Sequence, residues 1–321
     1  MTKVTLEGST IELGKGETVL NGLLRSGVHV SSSCRVGACQ TCLMRAVQGA
    51  VPAASQYGLK DSMKARGYFL ACVCRPEEDL ELKGAGADIQ APAEIIGLDK
   101  LSPSVVRVRL KTERPFDYRA GQYAVILRHD GLARSYSLAS LPSEDTLEMH
   151  VRKLPNGRMS SWLFDEATVG EKVVLQGPSG ECFYVAGQPE QPLLLAGTGT
   201  GLAPLYGILR DALTAGHLGP IWLFHGAVEA SGLYLVSELR ALAASHPNVQ
   251  FIPCVLRGEE AGEVRVGPLD QVLFKELPKL KGFRAFVCGD PALVAALKKK
   301  IYLAGAPLRE IYADAFLPSL S

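Results

Sequence analysis

Nine residues near the amino terminus constrain this chain more than any others. The run Cys34-Arg35-Val36-Gly37-Ala38-Cys39-Gln40-Thr41-Cys42 carries three thiols at a C-x4-C-x2-C spacing, and two more follow in Leu70-Ala71-Cys72-Val73-Cys74. Of eight cysteines, five therefore fall in the first quarter of the chain, leaving Cys182, Cys254 and Cys288 scattered. Met1 to Leu13 is polar and strand-like, so a secretory leader is not expected, and the cluster reads as metal-binding rather than as a disulfide framework. A [2Fe–2S] cluster needs four converging thiolates, and a tight loop can supply three of them. Gly37 and Ala38 leave room for the backbone to fold over the sulfides and donate N–H bonds. Zinc is the alternative, but zinc sites favour paired C-x2-C spacings. The fourth ligand is left open between Cys72 and Cys74.

The 321 residues are enough for two or three domains. Lys plus Arg (34) nearly balances Asp plus Glu (33), which removes the electrostatic motive for nucleic-acid binding. The uncharged stretch Gln191–Leu209 is long enough to span a bilayer, yet its glycines and prolines make it a buried strand, turn and helix, so no membrane segment is expected. Three patterns succeed one another. Residues 1–90 hold the cysteines and end in a linker reading, Gly84-Ala85-Gly86-Ala87 followed by Gln90-Ala91-Pro92. Residues 93–188 show short strands separated by turns, which implies an antiparallel barrel, with one helical interlude at Met159–Phe164. Residues 189–321 alternate strands with helices, including Leu202–Ala215, Leu233–Ser245 and a last strand at Glu310–Ala313, which implies a doubly wound α/β domain.

Each later pattern carries a motif. Arg134-Ser135-Tyr136-Ser137-Leu138 lies on a barrel strand, where alternating side chains can present a cation, a flat ring and a hydroxyl to a flavin. Gly157-Arg158-Met159-Ser160-Ser161 opens a short helix suited to phosphate. Ala196-Gly197-Thr198-Gly199-Thr200-Gly201-Leu202-Ala203-Pro204 follows an apolar strand and lets the backbone approach a pyrophosphate. It lacks the lysine of a phosphoryl-transfer loop. Near the end of the next strand, Glu229 can accept from a ribose hydroxyl. No Lys or Arg occurs between Arg210 and Arg240, so NADH is expected over NADPH. Cys288-Gly289-Asp290-Pro291 places a small thiol where a nicotinamide ring fits. The acidic run Glu77-Glu78-Asp79 with Glu81 is read as a solvated loop before a docking surface.

In this order the motifs CRVGACQTC, RSYSL, GRMSS, GTGTGLAP and CGDP resemble the ferredoxin–NADP reductase superfamily, in its oxygenase-reductase branch with an amino-terminal plant-type ferredoxin. The resemblance implies a β-grasp ferredoxin domain, a six-stranded FAD-binding barrel and an NAD-binding α/β domain. The 29 residues between Cys42 and Cys72 match the interval of plant-type ferredoxins, which assigns the cluster to Cys34, Cys39, Cys42 and Cys72 and leaves Cys74 a bystander. It also implies that Tyr136 stacks on the flavin, Ser137 lies near N5 and Arg134 meets the pyrophosphate. Met159, Ser160 and Ser161 would serve the FAD phosphates, and His150-Val151-Arg152 the neighbouring flavin strand. Thr198, Gly199, Thr200, Gly201, Gly289 and Asp290 would hold the dinucleotide, and Phe316 would cover the flavin. Ser137 and Cys288 then frame hydride transfer. The implied activity is a cytoplasmic NADH-dependent reductase passing electrons from NADH through FAD and the [2Fe–2S] cluster to a protein acceptor. The acceptor is a terminal oxygenase of an aromatic-degrading system or, alternatively, a deoxysugar dehydrase. A non-catalytic metal-binding redox sensor is the remaining rival.

Overall fold

A computed structural model describes residues 2–86, 89–259 and 262–317. The chain begins with a hairpin, β1 (Thr2–Leu6) and β2 (Ser9–Leu13), and then α1 (Val19–Arg25), whose start is capped by the Thr18 hydroxyl accepting from Asn21 N–H. After the cluster loop come β3 (Leu43–Gln48), the short α2 (Asp61–Lys64), β4 (Tyr68–Leu70) and β5 (Leu80–Gly84). They form a five-stranded mixed sheet in the order β2-β1-β5-β3-β4. Val19, Leu20 and Leu23 of α1 pack with Tyr68, Phe69 and Leu82 into a core belonging to this domain alone.

The barrel contains β6 (Gln90–Ser102), β7 (Val105–Thr112), β8 (Tyr123–Leu127), β9 (Ala133–Ser137), β10 (Leu147–Arg152) and β11 (Lys172–Ser179), in the order β10-β7-β6-β11-β8-β9. A bridge between Leu138 and Met149 joins the two ends of the sheet, so the barrel closes. The linker reading is corrected at Gln90-Ala91-Pro92, which is the start of β6 and pairs with Gln176, Leu175 and Val174. Ala91, Ala93 and Ile95 alternate into the core, but small residues hide that alternation in the sequence. Proline is tolerated because pairing with β7 begins only at Ala93. Ala87 of that linker reading lies outside the described residues. The helical interlude is α3 (Arg158–Ser161), running on into a wider π turn over Trp162–Glu166.

The third domain has β12 (Leu193–Thr198), α4 (Leu202–Thr214), β13 (Ile221–Ala227), α5 (Val236–Ser245), β14 (Val249–Val255), β15 (Arg265–Val266), α6 (Leu269–Glu276), β16 (Arg284–Gly289), α7 (Pro291–Leu303) and β17 (Ile311–Ala315). Its strands are parallel, in the order β15-β14-β13-β12-β16-β17. The order reverses between β12 and β16, and in such sheets ligands bind beyond the strand ends at that reversal. The stretch Gln191–Leu209 is strand, glycine turn and helix, and no described helix is long and apolar enough to cross a membrane. The expected helix from Leu233 starts instead at Val236, because Tyr234 is buried and Leu235 is held in the left-handed region at φ 54°. Val105, Cys182 and Tyr184 join the apolar layer beneath this sheet, so barrel and α/β domain share interior.

Candidate active site

The cluster loop folds back on itself through left-handed residues at Arg35, Gly37 and Gln40. Cys34 N–H points at Cys39 Sγ and Cys39 N–H at Cys34 Sγ, both at 3.4 Å, and the Thr41 hydroxyl lies 3.2 Å from Cys39 Sγ. Cys34 and Cys39 are hydrogen-bonded partners, and so are Cys42 and Cys72. Within each pair the neighbouring thiol pulls one group down, Cys34 and Cys72, and pushes the other up, Cys39 and Cys42. Backbone amides of Val36, Ala38 and Cys39 face Cys34, and that of Gly37 faces Cys72. Cys74 stands apart: burial pushes its thiol up to about 11, and its partner is Ser55. Four thiols in two pairs, with amides aimed at the sulfurs, fit a two-iron centre better than zinc.

One cleft of about 1550 Å³ runs beside this loop, walled by all three domains. Of the expected residues, Arg134, Ser135, Tyr136, Ser137, His150, Arg152, Gly157, Met159 and Ser160 line it from the barrel. Thr198, Gly199, Thr200, Glu229, Gly289, Asp290 and Phe316 line it from the α/β domain, and Cys39 from the cluster loop. Arg134 is half-buried and turns to the Ala133 carbonyl at 2.7 Å; desolvation pulls its pKa down, and among the described residues no carboxylate acts on it. A half-buried cation without an anion suits a pyrophosphate. Burial pushes the Tyr136 phenol up, leaving a neutral ring at the cleft wall.

Several expectations change. Leu138 and Val151 are completely buried in the barrel core and do not line the cleft. Ser161 does not line the cleft. Gly201 does not face it either: a Cβ there would collide with the Cys288 carbonyl, so this glycine exists to seat the β12–α4 turn on the end of β16. Gly289, at φ 120°, is its counterpart, with room for no Cβ beside Thr198. Cys288 is 1% exposed and packs its Sγ 4.0 Å from that of Cys182, behind the cleft wall. The Ser135 hydroxyl is given to the Cys39 carbonyl at 2.9 Å. Glu78 and Asp79 accept from the amides of Ala50 and Lys3, which ties the acidic run into its own domain.

Two features escape a reading of the sequence. Asp314, on β17, accepts from the Ser137 hydroxyl at 3.3 Å, and burial lifts its carboxyl to about 6. Between the domains, His150 uses Nε2 toward Glu148 (2.8 Å) and Nδ1 toward the Tyr234 hydroxyl (3.1 Å), while His225 Nε2 meets the Gly199 carbonyl (3.1 Å). A carbonyl only accepts, so His225 is the Nε2–H tautomer; burial pulls its pKa down to about 4 and keeps it neutral. His150 is likewise kept below its ordinary value by burial. Motifs single out Ser137 and His150 but not their partners, since Asp314 and Tyr234 stand 177 and 84 residues away.

A parallel sheet reversing beside a closed barrel, with the flavin and nucleotide motifs on one cleft, fits the class of FAD- and NAD-binding oxidoreductases. Residues 4–77 match the "2Fe-2S iron-sulfur cluster binding domain", residues 92–184 the "Oxidoreductase FAD-binding domain" and residues 195–299 the "Oxidoreductase NAD-binding domain". The chain is 34% identical over 315 residues, 96% of each chain, to the ferredoxin–NAD(P)+ reductase component of a Pseudomonas putida naphthalene 1,2-dioxygenase system. It is 33% identical over 331 residues, 98% of each, to an Amycolatopsis aromatic O-demethylase reductase subunit. An Amycolatopsis cytochrome P450 reductase has the same architecture, with a TM-score of 0.71, 31% identity and 99% of both chains covered. The chain belongs to the ferredoxin–NADP reductase superfamily, in the branch of oxygenase reductases that begin with a plant-type [2Fe–2S] domain.

Proposed function

We propose that this reductase takes electrons from NADH and delivers them to the terminal oxygenase of an aromatic-oxidising system. The observation that carries this reading is the single cleft whose walls include the nucleotide turn, the flavin strand and the Cys39 edge of the cluster loop. A bound flavin accepts a hydride and releases its electrons singly, which joins a two-electron donor to a one-electron cluster. Around that chemistry the chain binds and positions. Arg134 meets the flavin pyrophosphate, Tyr136 packs on its ring, and Ser137, held by Asp314, faces the reacting edge. Phe316 is fixed at the cleft wall by its N–H donating to the Gly289 carbonyl at 2.8 Å. The β12–α4 turn receives the NADH pyrophosphate, and Glu229 its ribose. Cys34, Cys39, Cys42 and Cys72 hold the cluster.

Relatives support the acceptor class, because a naphthalene dioxygenase reductase and a phenol 2-monooxygenase reductase component align over nearly the whole chain. A Yersinia pestis CDP-deoxysugar dehydrase reductase aligns at lower identity, 27%, and keeps the dehydrase as the second reading. The test is anaerobic titration of the loaded protein with NADH, followed in the visible. Both flavin and cluster absorption should bleach, and an aromatic-ring oxygenase partner should recolour them. A cluster that stays oxidised while the flavin bleaches would overturn the reading.

A further inference from the structure

We infer that Gln40 is a positioning residue which, clamped by the barrel, sets the flavin-to-cluster electron step. This rests on the proposed cluster and flavin sites. Gln40 lies between two cluster cysteines in the sequence, yet it is only 7% exposed and sits in the left-handed region at φ 56°. That conformation costs a non-glycine residue energy and persists only where its surroundings impose it. Both ends of its carboxamide are engaged. Nε2 donates to the Gly58 carbonyl of its own domain at 3.2 Å, and Oε1 accepts from the Ser179 hydroxyl of the barrel at 2.7 Å.

Its backbone is held as well. Gln176 Nε2 donates to the Gln40 carbonyl at 3.1 Å, Ser135 Oγ to the Cys39 carbonyl at 2.9 Å and the Tyr123 hydroxyl to the Ala38 carbonyl at 2.9 Å. Three successive carbonyls of the cluster loop thus each accept from a different strand, and those strands, β11, β8 and β9, are neighbours in the sheet. Here these bonds aim the Cys39 side of the loop at the strand carrying Tyr136 and Ser137. Electron transfer weakens steeply with distance, so this docking decides the rate. Each hydride leaves NAD+ and a two-electron-reduced flavin; two single electrons then pass to the cluster and on to the acceptor protein, the proton going to solvent, with no other bond made or broken.

The test uses the full chain with cofactors bound, comparing wild type with the double variant Ser179→Ala/Gln176→Met and with Gln40→Leu. Stopped-flow bleaching by NADH without air should show flavin reduction at the wild-type rate. Cluster reduction should be slowed about tenfold or more, the scale expected of a misplaced reacting group. The cluster midpoint potential should not move. Hydrogen exchange of residues 37–42 should quicken, and Ser179→Thr, which keeps the hydroxyl, should restore both rate and protection. Unchanged cluster bleaching, unchanged exchange, or slowing explained by a shifted potential would each overturn the inference. If Gln40→Leu loses its cluster in assembly, the barrel-side double variant still decides. A wild type that never bleaches its cluster would instead refute the function on which the inference rests.

Discussion

Replacing Asp314 by asparagine tests the electrostatics of the cleft. The carboxyl borders the cleft but is otherwise enclosed, and burial raises it from 3.8 to about 6 against the smaller, opposing effect of the Ser137 hydroxyl. Below the ordinary value the group is protonated in both folded and unfolded chains, and it costs nothing. As pH rises from about 4 to about 6 the unfolded chain ionises first, so the folded state loses stability; above about 6 the loss is complete and constant. Two pKa units at about 1.4 kcal/mol each give a penalty of about 3 kcal/mol, of which roughly half develops above pH 5. Asparagine keeps an acceptor for Ser137 and carries no such penalty. Thermal denaturation of the loaded proteins should therefore show the variant gaining on wild type by about 2–3 °C between about pH 5 and pH 7.5. A difference that stays flat across this range would refute the argument, since it would mean that Asp314 titrates like any surface carboxylate.

Three further outcomes are expected. Cys72→Ser should abolish the cluster's visible absorption while flavin-dependent reduction of ferricyanide by NADH survives, and Cys74→Ser should retain both; visible spectra and the ferricyanide assay check this. Gly201→Ala should crowd the Cys288 carbonyl, cost about 1–3 kcal/mol of folding stability and raise the KM for NADH without altering flavin content, as read by denaturation and steady-state kinetics. Glu229→Lys should shift the ratio of kcat/KM toward NADPH by about tenfold or more, because a cation suits a 2′-phosphate and the carboxylate a free hydroxyl.

Much of this was legible in the sequence because the informative features are local. The thiol spacing, the glycine turn after an apolar strand and the helix start at Gly157–Ser161 each lie within a dozen residues, where periodicity and side-chain reach govern the outcome. Gln90–Pro92 escaped because alanines and a proline disguise a strand whose alternation is clear only from burial. Helix α5 began late because Tyr234 is captured by His150 across a domain boundary, which overrides the helical spacing of its own segment. The glycine-rich motif places Gly201 for cofactor approach, whereas its neighbour is the backbone of a strand 87 positions later. Asp314 and Gln40 share that property: each acquires its role from a partner more than a hundred residues away.

The three domains are joined in two different ways. The barrel and the α/β domain contribute to one apolar layer, so separating them would expose hydrocarbon to water. The amino-terminal domain keeps its core to itself and meets its neighbour through hydroxyls, carboxamides and carbonyls, groups that water can satisfy at little net cost. One junction is a weld and the other a hinge pin: the first obliges hydride donor and acceptor to travel together, while the second gives direction without adhesion and can be undone and remade without baring any grease.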